Sequence, residues 1–115
     1  MDYSKMSDLE ININIAELLH PGKKFTAAYS FFQPEGPAVQ WICGYAEYIK
    51  ADYCNNPADA WPIITSNRIG IVPGTATDKW AAHHVDWDIA IADVNPLRAA
   101  MIIFLMMQDS RKSPS

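Results

Sequence analysis

Asn95-Pro-Leu-Arg-Ala-Ala-Met-Ile-Ile-Phe-Leu-Met-Met-Gln108 is the stretch that decides the fold. Asn95 has the side chain of a helix N-cap, and Pro96 suits the first helical position, where the missing N–H has no intrahelical partner to lose. From Ala99 to Met107 every residue is apolar. A helix without a polar stripe has no solvent face and must be covered on nearly all sides. Either the rest of the domain or a second subunit provides that cover, so a homodimer through this helix is one expectation.

Working outward, Ser7-Asp8-Leu-Glu10 has the form of a capping box. It predicts a helix over residues 8–19. The alternation Ile11-Asn-Ile-Asn-Ile15 competes as a strand signal, but the cap and the Ala16-Glu-Leu-Leu19 ending favour helix, stopped by His20-Pro-Gly22. Residues 25–32 read as a strand, Gln33 to Pro37 as a turn, and Val39 to Ile49 as a second strand, the pair forming a hairpin. Within the second strand Gly44 reads as a bulge or a close backbone approach.

Asn56, Pro57 and Asp59 repeat the cap, first-position proline and first-turn acid of a helix start, so residues 55–67 predict a middle helix. Pro62 inside it predicts a short or kinked element. Arg68 to Val72, Lys79 to His83 and Val85 to Ile91 read as strands. In the last, Val85, Trp87, Ile89 and Ile91 share one face, with Asp86 and Asp88 on the other.

The class that follows is α+β: a small antiparallel sheet of four to five strands, packed by an N-terminal helix, a short middle helix and the long apolar C-terminal helix. One domain spans residues 1–109, and the polar stretch 110–115 is expected to be a flexible tail. Half of the 115 residues are hydrophobic and 19% are charged, a balance that supports a packed core rather than disorder. The net charge of −4 disfavours a nucleic-acid surface. No apolar run approaches the roughly 20 residues of a membrane span, and the polar opening Met1-Asp-Tyr-Ser-Lys does not resemble a signal peptide. Two cysteines, Cys43 and Cys54, are too few for a disulfide framework and read as free buried thiols of a reducing cytoplasm, with a disulfide between them as the alternative.

His83-His84-Val-Asp86-Trp-Asp88 gathers imidazoles and carboxylates, and in a strand His84, Asp86 and Asp88 would share a face at steps of about 7 Å. A metal would want ligands from a second element too, so a solvated strand face is the expectation. No nucleophile elbow, paired-cysteine motif or glycine-rich phosphate loop is present. No catalytic residue, metal or cofactor is predicted.

The segment holding Tyr53, Asn55, Asn56, Asp59 and Trp61 is the stronger candidate for contact with a ligand or partner. It sets amides, a carboxylate and an aromatic plate near a helix start. The alternative makes the aromatics core, the asparagines caps and Asp59 a dipole partner. Arg98 joins the set because a cation in the first turn of a helix opposes the dipole and needs a counter-charge. Asp59 or Asp93 could provide it, or the acidic group of a ligand.

Two long stretches carry a family resemblance: Tyr53-Cys-Asn-Asn-Pro-Ala-Asp-Ala-Trp-Pro-Ile-Ile64 with Asn67-Arg68-Ile69, and Asn95 to Gln108. The opening Met1-Asp-Tyr-Ser-Lys-Met-Ser-Asp-Leu-Glu-Ile-Asn12 adds to them. They resemble the NinX family, small proteins of lambdoid phages and of prophages in enteric bacteria. The resemblance covers residues 1–19, 53–72 and 95–108. Residues 20–50 correspond to nothing in it, and Ile13 to Glu17 is less basic than the helix the family usually has there. The resemblance implies a phage accessory protein of the host cytoplasm, dispensable for basic replication, with no reaction and no assigned site residues to carry over.

Three functions are therefore in competition. The first is a non-enzymatic accessory protein that binds a host protein; four tryptophans and five tyrosines suit a contact surface as well as a core. The second is a binder of a small anionic ligand, such as a nucleotide-type signal, held by Arg98, Asn55 and Asn56. A hydrolase or metal enzyme is the third and weakest.

Overall fold

A computed structural model describes residues 2–28, 36–44, 47–74 and 76–112. The capping box forms as its residue types require. The Glu10 N–H donates to Ser7 Oγ at 3.1 Å and the Ser7 N–H donates to Glu10 Oε1 at 3.3 Å, opening helix α1, Asp8–Leu19. Asn56 Oδ1 accepts the Ala58 N–H at 3.0 Å, with Pro57 as the first residue of α2, Pro57–Asn67. Pro62 lies on the exposed side of this helix, which ends at Arg68 in the left-handed conformation (φ 55°). Asn95 Oδ1 accepts the Leu97 and Arg98 N–H groups and starts α3, Pro96–Lys112. Helix α3 runs through Lys112, so Ser110 to Lys112 form its last turn, and residues 113–115 lie outside the described residues.

Among the described residues six short strands make two three-stranded antiparallel sheets rather than one sheet of four to five. The first has the order β1 (Thr26–Ala27), β2 (Val39–Cys43), β3 (Glu47–Ala51); the second β4 (Gly70–Pro73), β5 (Trp80–His83), β6 (Ala90–Asp93). The single strand predicted over Val39 to Ile49 is two strands. Gly44, at φ +73°, is a turn residue rather than a bulge, and Cys43 pairs with Glu47 across that turn. Positive φ without a Cβ penalty is what glycine contributes there. Of the strand predicted over 25–32, Thr26 and Ala27 are paired and 29–32 lie outside the described residues, as do Gln33 to Glu35 of the predicted turn.

The strand predicted over Val85 to Ile91 is also corrected: residues 84–89 form the loop between β5 and β6, and only Ala90 and Ile91 are strand. The His84 N–H reaches Ile89 O and the Trp87 N–H returns to His84 O, both at 2.9 Å. Trp87 has a φ of 61° and stacks flat on His83, centroids 3.5 Å apart. Gly70, the cross-strand partner of His83, leaves room for the imidazole: a Cβ there would lie 2.2 Å from its Nε2. Alternation misled here because Val85 and Trp87 are exposed residues of a turn.

Helix α3 is the centre of the molecule. Ala99 to Leu105 and Met107 are buried in the single chain, against β5 and β6 of the second sheet, α2 and α1. The apolar run therefore has its cover without a second subunit. Ile11, Ile15 and Ala16 of α1 complete the core with Val39, Trp41, Ile63, Ile64 and Ala82. Trp41 is capped by the stacked His20 ring at 4.8 Å and the edge of Phe25 at 5.5 Å.

Candidate functional site

Two places compete for a functional role. One is a polar cluster where the chain's opening, the Tyr53 segment and the start of α3 meet. Asp8 projects from the first turn of α1, Asn12 from its next turn, and Asp93 and Asn95 flank the entry to α3. The Arg98 guanidinium lies among them. Its Nε donates to Asp93 Oδ2 at 3.1 Å and Nη1 to Asp8 Oδ1 at 2.6 Å. Nη2 donates to the carbonyls of Ser4 at 3.1 Å and Met6 at 2.6 Å. Of the two predicted counter-charges Asp93 is a partner and Asp59 is not; Asp59 accepts the Asp52 N–H at 2.9 Å. Burial works against the Arg98 charge, but the bonds to Asp8 and Asp93 outweigh it and raise its pKa above the ordinary value.

The predicted asparagines are spent in the same cluster. Asn55 Nδ2 donates to Asp8 and to Asp52, and its Oδ1 accepts from Asn95 Nδ2 at 3.0 Å. Asn95 Nδ2 also donates to Cys54 O at 2.7 Å. Asn56 is the cap of α2. Sequence reasoning missed the centre of the cluster, Asn12. It is fully buried; Nδ2 donates to Pro37 O at 2.8 Å and Asp52 Oδ1 at 2.9 Å, and Oδ1 accepts the Cys54 N–H at 3.1 Å. The available signal was a polar residue on the Ile11–Ile15 stripe of an amphipathic helix. Among the described residues no buried side-chain polar atom lacks a partner.

Tyr53 and Trp61 divide. Tyr53 is core, and burial followed by the nearby Asp59 carboxylate pushes its pKa up to about 12. Trp61 projects from α2 into solvent, on the side opposite Ala60, Ile63 and Ile64. Cys54 is buried and free, its thiol pushed well above the ordinary range by burial and then by Asp8. Cys43 is exposed, contrary to the expectation of two buried thiols. It lies beside the hairpin turn, beyond the part of β2 that packs on the core.

Chemically the cluster is a clasp. Asp8, Asp52 and Asp93 outnumber the one cation, Arg98, and four of the five guanidinium N–H groups have protein acceptors. An anionic ligand would have to displace carboxylates that are already bonded. A nearby cleft of about 370 Å³ between α1 and α3 has Tyr3, Glu17, Gln108 and Asp109 in its wall and no cation. The Tyr3 hydroxyl donates to Asp109, and burial with this bond pushes the Tyr3 pKa up to about 12. His84 Nδ1 bonds Asp88 Oδ1 at 2.9 Å within the β5–β6 loop, which holds the Asp88 carboxyl below its usual range. Among the described residues no three His, Cys, Asp or Glu are arranged to hold a metal ion.

The second place is the β2–β3 hairpin, which leaves the core as an arm. Its base is buried: Val39, Trp41 and Ala51. Beyond them both faces open to solvent. Ile42 and Tyr48 are cross-strand partners on one face, 47% and 58% exposed; Ile49, on the other, is 40% exposed. A groove of about 240 Å³ runs along the first face, lined by Lys24, Thr26, Gln40, Trp41, Ile42 and Tyr48. Two large aliphatics and a tyrosine held out on a hairpin contribute little to folding. Reading Val39 to Ile49 as one strand hid this arm.

Among the described residues no helix is long and apolar enough to cross a membrane. Neither the comparison with curated proteins nor that with solved structures gives a match. The family described as Bacteriophage P22, NinX matches residues 2–108, which includes the stretch 20–50 and with it the arm. Since that match spans nearly the whole sequence, the chain belongs to the bacteriophage P22 NinX family.

Proposed function

We propose that this phage protein is a non-enzymatic accessory factor that acts in the bacterial host cytoplasm by binding a host protein through the β2–β3 arm. The observation that carries this is the exposure of Ile42, Tyr48 and Ile49 on both faces of one hairpin. Apolar side chains clustered on a projecting element are what a partner can desolvate. The polar cluster around Arg98 supports the same choice from the other side, because its donors are committed to holding the chain's three segments together.

The test is affinity capture from a bacterial host extract with the wild-type protein and the variants Ile42→Ala, Tyr48→Ala and Arg98→Lys, quantified by mass spectrometry. A host protein captured by wild type and lost from Tyr48→Ala supports the proposal. A partner retained by both arm variants but lost from a folded Arg98→Lys would move the site to the cluster.

A further inference from the structure

We propose that two copies of this chain pair along β3, antiparallel about a two-fold axis at Ile49, and join their first sheets into one of six strands. The pairing is separate from the host contact, because an edge-to-edge joint leaves both faces of the sheet open. Among the described residues β3 is an outer strand in the order β1-β2-β3, and Glu47, Tyr48, Ile49 and Lys50 are all exposed. An edge strand directs the N–H and C=O groups of alternate residues outward, and these form a template for another chain. The other edges are poorer templates. Strand β1 has two residues, β4 ends in Pro73, which has no N–H to donate, and the exposed residues of β6 are Ala90 and Ala92. Strand β3 has five residues and no proline, and it holds a tyrosine and an isoleucine out in solvent.

The order of residues along β3 complements itself. A two-fold axis perpendicular to the sheet keeps each side chain on its own face, and every contact occurs twice. Centred on Ile49, it sets Ile49 against the partner's Ile49, Tyr48 against the partner's Lys50 and Glu47 against the partner's Ala51. All five residues are then paired and no charge meets its like. Each Lys50 ammonium can lie over a tyrosine ring, a cation–π contact, and an aliphatic pair closes the centre. Neighbouring registers lack this match. Centred on Tyr48, Lys50 and Ala51 would pass the end of the partner's strand; centred on Lys50, the two ammonium groups would oppose each other. Five residues a side are far fewer than the roughly 20–30 of a standard interface, so the dimer is expected at micromolar concentration or above.

The full chain is followed by sedimentation velocity from about 1 μM to about 1 mM, with hydrogen exchange of Glu47 to Ala51 at both ends of that range. Expected are a dimer that grows with concentration and slower exchange along β3 as it forms. Ile49→Asp, which places two carboxylates on the axis, should weaken the dimer tenfold or more. The register is read in a Cys43→Ser background by oxidising Ile49→Cys and Tyr48→Cys. Opposed residues lie about 4.5–5.5 Å apart, within disulfide reach, whereas Tyr48 and the partner's Tyr48 are about 8 Å apart. Ile49→Cys should give at least tenfold more linked dimer. A monomer throughout, equal linking of the two variants, or exchange along β3 that is slowed by a host protein and not by concentration would each overturn the dimer. Should Ile49→Asp fail to fold, the linking ratio and the exchange decide. A linked pair of copies has twice the 12.9 kDa of the chain, which separates it from a host adduct. If host capture is indifferent to Tyr48→Ala while Ile49→Cys still links, the host contact falls and the dimer stands; the converse result removes the dimer alone.

Discussion

Arg98 Nη1 lies 2.6 Å from Asp8 Oδ1, joining the first turn of α3 to the first turn of α1 across 90 residues of sequence. Asp8 serves two purposes at once. It is an acid in the first turn of α1, where the helix dipole favours it, and it is the counter-charge that lets a cation occupy the first turn of α3, where the dipole does not. With Asp93 and the carbonyls of Ser4 and Met6, it closes the chain's opening over its C-terminal helix.

Removing Arg98 should therefore be a stability lesion. Arg98→Ala leaves Asp8 and Asp93 without their cation, and should lower the unfolding free energy by about 2–3 kcal/mol, discounted for the partial exposure of Asp8. Arg98→Lys should recover less than half of this, since a single ammonium cannot span four acceptors. Urea titration measures both. An Arg98→Ala protein as stable as wild type would mean that the guanidinium is held for something other than the fold.

Asn12→Ala should lower stability by about 2–3 kcal/mol, because the buried Cys54 N–H and the partly buried Pro37 O lose their partner, while Asp52 Oδ1 keeps its bond from Asn55. Asn12→Asp should be at least as damaging, since it places a second carboxylate beside Asp52 and removes the donor. Thermal melts of the two variants rank these effects.

Gly70→Ala should destabilise the second sheet by about 1–3 kcal/mol. The added methyl would meet the His83 ring, which is already held flat by Trp87. Tryptophan fluorescence should change with it, as Trp87 loses its stacked partner. A variant with wild-type emission and stability would contradict the stack.

Alkaline titration reports on Tyr3 and Tyr53. Both have folded pKa values raised to about 12 from the ordinary 10, so the fold favours their neutral forms. The stability they contribute is fully present below pH 10 and is lost as pH rises through about 12. Melting temperature should fall across that window, less steeply in Tyr53→Phe, and the late-ionising absorbance near 295 nm should diminish in Tyr3→Phe and in Tyr53→Phe.

Much of this architecture was legible locally. Ser7 with Glu10, Asn56 with Pro57 and Asn95 with Pro96 mark helix starts through contacts within a few residues, and the three helices lie where those signals put them. What failed was tertiary. The alternation from Val85 to Ile91 reflects a turn whose Trp87 folds back onto His83. The division into two sheets depends on which hairpins share an edge, and no local pattern encodes that. Of the six residues singled out as a site, Asn55, Asn56, Asp59 and Arg98 hold the fold, Tyr53 is core, and Trp61 is exposed with no hydrogen-bonding role in the cluster. Asn12 and Asp52, which hold the cluster together, acquire their meaning only when segments 40 residues apart meet. The arm was hidden because the turn residue Gly44 falls inside a run that reads as continuous strand.

The thiols offer a simple check of that arm. Cys43 is exposed next to the hairpin turn and Cys54 is buried. In the native protein one thiol should react rapidly with a disulfide reagent, Cys43→Ser should abolish that reaction, and the second should appear only on unfolding.

If the β2–β3 arm rather than the α1–α3 face meets the partner, contact should be local to Tyr48. A photo-crosslinking amino acid placed at Tyr48, and separately at Glu17 beside the α1–α3 cleft, tests it in living host cells. A discrete product of higher mass is expected from position 48 and none from position 17. Products from position 17 with none from position 48 would contradict it.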